Sequence, residues 1–207
     1  MYGGDGSDIY VTDSAADVIT ESGTSGLDTV ISGVTWTLGS TLENLTLSGT
    51  AVINGTGNNA ANLLTGNGAA NALGGGSGND TLLGGDGNDL MNGGAGVDSL
   101  TGSNGADQFI WKATSESTLA AQDRVADFNH TQADQFDLTA IDAKSDGTSN
   151  DAFRFISTAF TGVTGQVHAV LTSGGMLIEA DTNGDKTADL VIFVAGATSI
   201  VAGDFLL

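Results

Sequence analysis

Apolar residues recur through the central part of the chain with a fixed step. Leu64, Leu73, Leu82, Met91, Leu100 and Phe109 are spaced nine apart, and two positions ahead of them stand Asn62, Asn71, Asp80, Asp89, Asp98 and Asp107. Glycine fills the turns before the aspartates: Gly75-Gly76-Ser77-Gly78-Asn79-Asp80, Gly84-Gly85-Asp86-Gly87-Asn88-Asp89 and Gly93-Gly94-Ala95-Gly96-Val97-Asp98. A weaker fourth copy reads Gly102-Ser103-Asn104-Gly105-Ala106-Asp107. The pattern predicts short strands of three residues, each with a single inward apolar residue, separated by glycine turns. The first 50 residues carry short β-prone runs between Gly/Ser/Thr turns, such as Ile9-Tyr10-Val11, Asp17-Val18-Ile19-Thr20, Asp28-Thr29-Val30-Ile31-Ser32 and Leu42-Glu43-Asn44-Leu45-Thr46-Leu47. After Trp111 the period stops and the composition becomes ordinary.

The residue types in the repeat suit a hard cation. Ca²⁺ takes about six to eight oxygens, more than a few side chains can supply, so backbone carbonyls must converge. Glycine permits that approach and aspartate adds the charge. The nonapeptide G-G-x-G-x-D-x-U-x is that of calcium-binding parallel β-rolls, and the stretch resembles the RTX (haemolysin-type) repeat family. The resemblance implies an all-β, right-handed parallel β-roll in which two nonapeptides make a coil and each ion sits between stacked turns. Carried over, Asp80 faces Asp98 and Asp89 faces Asp107. Asn71 with Asp89, and Asn62 with Asp80, form weaker sites because Asn lacks the charge. About four or more ions are expected. The turn Gly3-Gly4-Asp5-Gly6-Ser7-Asp8 is one further copy, with Asp8 and Asp28 as candidate ligands beside Gly4 and Gly6.

The last segment carries a second resemblance. Residues 123–142, Asp151-Ala152-Phe153-Arg154-Phe155-Ile156, Gly165-Gln166-Val167 and Leu177-Ile178-Glu179-Ala180-Asp181 are similar to the serralysin-type C-terminal domain. The expected organisation is an irregular roll extension over 1–50, the nonapeptide roll over 51–111, and a β-sandwich-like cap over 112–207. Asp181, Asn183, Asp185 and Asp189 are spaced like the first oxygens of an EF-hand loop. Lys186 stands where that loop needs glycine, however, and no Glu follows at position 12, so a cation site and an Asx-rich hairpin turn remain alternatives. The ending Asp204-Phe205-Leu206-Leu207 resembles the uncleaved C-terminal signals of proteins secreted by type I exporters; its other reading is a final strand. The chain opens in the middle of a repeat, which suggests a piece of a longer protein.

Charge narrows the function classes. The chain has 25 Asp+Glu against 5 Lys+Arg, a net charge of −20, and every cation follows residue 111. Nucleic-acid binding needs cations that the first 111 residues lack, and an anionic membrane surface would repel the chain. No cysteine is present for a disulfide or thiolate site. No apolar run reaches the roughly 18–20 residues of a membrane span, and the N-terminus lacks a signal-peptide pattern. His130 and His168 form no H-E-x-x-H, and no G-x-S-x-G occurs. Trp36 and Trp111 read as packing residues. The sequence therefore predicts a monomeric, non-catalytic, secreted bacterial module that folds on calcium and serves an attached effector domain. The alternative is calcium-dependent binding of a glycan or cell surface. At ten times its dissociation constant, each ion contributes roughly 1.4 kcal/mol to folding.

Overall fold

The computed structural model describes residues 1–23, 25–144 and 150–207, and its strands fall into two sheets. The first contains β1 (Ile9–Thr12), β2 (Thr29–Ser32), β4 (Asn44–Leu47), β6 (Leu63–Thr65), β8 (Thr81–Asp86), β10 (Ser99–Asn104) and β12 (Asp123–Val125), and continues through β17 (Leu190–Ala195), β16 (Gly175–Asp181), β15 (Gln166–Thr172) and β14 (Arg154–Phe155). The second runs from β3 (Trp36–Thr37) through β5 (Gly55–Thr56), β7 (Ala72–Ser77), β9 (Leu90–Ala95), β11 (Gln108–Ile110) and β13 (Gln135–Asp137) to β18 (Phe205–Leu206). Up to β12 and β18 every pairing is parallel, and from β2 to β13 successive strands alternate between the sheets. The result is a β-solenoid of about six turns, the β-roll that the nine-residue period predicts.

Strand periodicity explains the core. In β2, β4, β8 and β10 exposure alternates residue by residue, so each strand turns an apolar side chain inward. Parallel register then stacks equivalent residues. Tyr10, Val30, Leu45, Leu64, Leu82, Leu100, Val125 and Val194 form one column, all buried. Leu73, Met91, Phe109, Phe136 and Phe205 form the facing one. Asp17-Val18-Ile19-Thr20 adds only a bridge from Thr20 to Tyr2.

The ladders cross both expected segment boundaries: β4–β6 and β3–β5 span residue 50, and β10–β12 and β11–β13 span residue 111. The final segment therefore extends the roll's own two sheets. An antiparallel meander, β15–β16–β17, closes onto β12, while β13 and β18 continue the other sheet. Between them Phe205 packs on Phe136 at 5.5 Å and on Phe155 at 5.4 Å. This sandwich of aromatic and aliphatic side chains covers one end of the roll.

Candidate metal centres

Each coil turns a corner at the polar residue two positions before its inward side chain. That residue's backbone N–H donates to a carboxylate oxygen one coil further on. In the first sheet, Asn62 donates to Asp80 Oδ1 at 2.7 Å, Asp80 to Asp98 Oδ1 at 2.8 Å and Asp98 to Asp123 Oδ1 at 2.9 Å. In the second, Asn71 donates to Asp89 Oδ1 at 2.8 Å, Asp89 to Asp107 Oδ1 at 2.9 Å and Asp107 to Asp134 Oδ1 at 3.0 Å. The N-terminal coils repeat the device, from Asp8 to Asp28 Oδ1 and from Asp28 to Glu43 Oε2, each at 2.8 Å.

One carboxylate oxygen per aspartate is thereby used, and the other is left over. Oδ2 of Asp80, Asp89, Asp98 and Asp107 is buried without a hydrogen-bond partner. A buried polar atom left so costs about 1–3 kcal/mol, and more when charged. These oxygens point into the glycine turns. A Cβ on Gly75 would lie 2.3 Å from Asp80 Oδ2 and 2.5 Å from the Gly93 carbonyl oxygen of the next coil. On Gly84 it would lie 2.4 Å from Asp89 Oδ2 and 2.8 Å from the Gly102 carbonyl. A Cβ on Gly93 or Gly102 would likewise lie 2.2 Å from Asp98 Oδ2 or 2.3 Å from Asp107 Oδ2. Unpartnered buried anions converging with carbonyls suit Ca²⁺, which takes oxygen ligands only.

Asn62 and Asn71 occupy the same corners with a different outcome. Asn62 Oδ1 accepts the Asn58 N–H at 2.7 Å, and its amide donates to the carbonyls of Leu42 and Glu43. Asn71 Oδ1 accepts the Asn67 N–H, and its amide donates to the Ile53 carbonyl. Asn58 stands where the later copies have Gly76, which holds φ at +111°. Without that left-handed turn the N–H reaches inward and fills the cradle, so both amides are fully satisfied by protein atoms.

The family model of the peptidase M10 serralysin C-terminal domain matches residues 3–207. The chain belongs to this family. It is also similar to two solved subunits of the Azotobacter vinelandii mannuronan C5-epimerase. AlgE6R2 is 24% identical, with a TM-score of 0.55 over 73% of this chain and 91% of that one. AlgE6R3 is 23% identical, with a TM-score of 0.51 over 72% and 78%. At that identity the likeness is one of fold. The comparison with curated proteins finds no match. The serralysin C-terminal domain is a non-catalytic repeat module of RTX type, a class that binds calcium in general, and its members are secreted.

Electrostatics within this serralysin-type roll follow from burial. Desolvation pushes Asp80, Asp89 and Asp107 up to about 6, against the opposing pull of the N–H each accepts. Asp98 and Asp134 are raised for the same reason. Asp123 rises to about 7, although Trp111 Nε1–H donates to its Oδ2 at 2.8 Å. Asp123 and Asp134 escaped the nine-residue reading because they follow their ladder partners by 25 and 27 residues instead of 18. The residues Asp123-Arg124-Val125 and Asp134-Gln135-Phe136 nevertheless keep the acid-x-apolar signature that marks each corner.

The other candidates separate by their partners. Asp8 and Asp28 come together with Glu21, which the sequence reading missed, their ligand atoms within 4.8 Å of one another. Tyr10 donates to Glu21, lowering the Glu21 carboxyl and raising the Tyr10 phenol. In the hairpin between β16 and β17, Asp181 accepts the N–H groups of Asn183, Gly184 and Lys186, and Asp189 accepts from Thr182 and from the Asn183 amide. Asp185 accepts the Thr187 N–H, and Asn183 Oδ1 that of Asp185. These bonds make an Asx-rich turn. His168 bridges Glu179 and the Thr158 carbonyl, both at 2.9 Å, while His130 contacts Asp204. Asp204 is buried and accepts the Val201 N–H; Phe205 lies in the core, and Leu206 and Leu207 are half-buried.

Proposed function

We propose that this chain is a calcium-loaded folding module for an attached effector domain. The four orphaned Oδ2 atoms of Asp80, Asp89, Asp98 and Asp107 carry the reading. Without a cation they are buried charges without partners; with one, each gains a counter-charge and the neighbouring glycine carbonyls gain a use. Four ions at ten times their dissociation constants add about 6 kcal/mol, comparable to the whole stability of a domain, about 5–15 kcal/mol. Their eight positive charges would offset most of the 12 acids in residues 1–111. The chain is thus largely unfolded where calcium is scarce and folded where it is plentiful.

This couples to secretion by a type I exporter. Asp204-Phe205-Leu206-Leu207 is built into β18 and its preceding turn. An exporter that reads these residues meets them free only before the roll closes, so passage precedes calcium binding and folding follows in the extracellular medium. Circular dichroism with and without a chelator is the test, with calorimetry giving about four ions. A β signal unchanged in the chelator would sink the reading.

A second reading, calcium-dependent attachment to a neutral glycan or cell surface, draws on one feature. A cleft of about 420 Å³ is lined by Arg154, Ser157, Thr158, Thr161, Thr164 and Gln166 and by no carboxylate, in a chain of net charge −20. Specific micromolar binding on a glycan array in calcium would favour it.

A further inference from the structure

His168 meets an acceptor on each side of its ring. It stands directly opposite Glu179 in the antiparallel pair β15–β16, with Nε2 2.9 Å from Glu179 Oε2. On the other side, Nδ1 lies 2.9 Å from the Thr158 carbonyl oxygen. A carbonyl oxygen and an ionised carboxylate both accept only, whereas a neutral imidazole has a single N–H to give. Two hydrogen bonds therefore require the imidazolium, with a proton on each nitrogen. Phe160 favours the same form, since its ring centroid is 4.3 Å from that of His168, close enough for an aromatic ring to attract a cation. His168 is 8% exposed, so water cannot easily replace a partner that the ring loses.

The other charged groups nearby are accounted for. Lys186, exposed on the hairpin between β16 and β17, lines the same cavity as His168 and Glu179. Asp181, two residues along β16, is turned into its own hairpin by the N–H groups of Asn183, Gly184 and Lys186. Arg154 of β14 pairs with Gln166, two residues before His168. Among the described residues, Glu179 is thus the carboxylate bonded to the ring.

What hangs on the ring is the segment 156–165, which joins β14 to β15 and carries Thr158 and Phe160. Its second tether is Gln166, which accepts the Thr161 N–H at 2.9 Å and donates to Thr161 Oγ1 at 2.8 Å. The same segment supplies Ser157, Thr158, Thr161 and Thr164 to the wall of the carboxylate-free cleft.

We infer that His168 is a proton-operated latch on this segment. Doubly protonated, it ties Thr158 to β16 and shapes the cleft wall. When one proton leaves, the remaining N–H stays with Glu179, because a carboxylate is the stronger acceptor. Nδ1 then faces the Thr158 carbonyl lone pair without a proton, and the segment loosens. Histidine ordinarily changes charge between about pH 5 and 8. A bond made by the charged ring in the folded state is present at low pH and lost as pH rises. The latch lies outside the calcium cradles and holds whether or not the cleft takes a glycan.

The test combines nitrogen NMR of the His168 ring with backbone relaxation of residues 157–164, from about pH 5.5 to about 8.5 in excess calcium. The β signal at each pH verifies that the roll is folded. Both ring nitrogens should carry a proton at the acid end, and one should lose it on titration. Order parameters of the segment should fall in step, from about 0.85 towards about 0.6. Glu179→Gln should keep the segment ordered throughout, because the Gln amide can donate to a bare Nε2 while Nδ1–H stays on Thr158. Ring protonation that never changes over this range overturns the inference. So does segment order that ignores the titration, or a Glu179→Gln variant that loosens as the parent does.

Discussion

The Asp80 N–H donates to Asp98 Oδ1 across one coil at 2.8 Å, while Asp98 Oδ2 stays buried without a donor. One carboxylate thus serves two tasks, stitching coils through one oxygen and offering the other as a ligand. The tasks can be separated by substitution. Asp98→Asn keeps an oxygen for the Asp80 N–H but removes the charge, so calorimetry should count one calcium fewer with the roll still folding in excess calcium. The converse pair, Asn58→Gly with Asn62→Asp, lets residue 58 take the left-handed φ that Gly76 holds, withdraws the N–H that fills the Asn62 cradle and restores the charge. Calorimetry should count one calcium more for this double variant; an unchanged count would refute the filled-cradle account.

Protons should substitute weakly for the metal. Asp80, Asp89 and Asp107 at about 6, and Asp123 at about 7, lie above the 3.8 of an unfolded aspartate. A group raised by folding contributes stability that is complete below its unfolded value and is lost as pH rises through its folded value. In a chelator, the small folded fraction, read as β signal, should therefore rise as pH falls from 7.5 to about 5. With calcium limiting, the trend reverses, because protons compete for the same oxygens and apparent affinity falls below pH 6 or so. A metal-free β signal that falls on acidification over this range would contradict the sign.

Close stacking makes some glycines irreplaceable and leaves others free. Gly94→Ala sets a Cβ 2.1 Å from the Gly76 carbonyl oxygen at a φ of +97°. Left-handed strain alone costs about 1–2 kcal/mol, and the collision pushes the coils apart. Gly68 has open space and an ordinary φ, so Gly68→Ala should be neutral or slightly stabilising. Chemical denaturation in calcium should separate the two variants by at least about 2 kcal/mol.

How far the fold could be read in advance depended on regularity. From Leu64 to Phe109 each inward residue repeats at nine, and parallel register turns that period into the columns. Outside it, the coils spanning Asp8 to Asp28, Asp28 to Glu43 and Asp98 to Asp123 differ by 20, 15 and 25 residues, and a fixed step cannot follow them. What persists is local: Asp8-Ile9-Tyr10, Asp28-Thr29-Val30, Glu43-Asn44-Leu45 and Asp123-Arg124-Val125 all place an acid two residues before an inward side chain. The amide pairing at Asn62 and Asn71 was hidden because it depends on the backbone angle at Asn58 and Asn67. Glu21 was hidden because it joins Asp8 and Asp28 only through coil stacking.

The cap and the cradles should fail independently. Phe205 is buried between Phe136 and Phe155, at the end of the column that runs through Phe109 and Met91. Phe205→Ala should cost about 3–5 kcal/mol, the range for a large buried aromatic, seen as a lower melting temperature in saturating calcium. The four orphaned oxygens lie in the coils from Asp80 to Asp107, so the number of ions bound by the folded variant should not change. Phe205→Leu refills most of the space and should recover most of the stability. A drop in calcium stoichiometry for the folded Phe205→Ala variant would mean that the aromatic cap, and not the glycine turns alone, shapes the cradles.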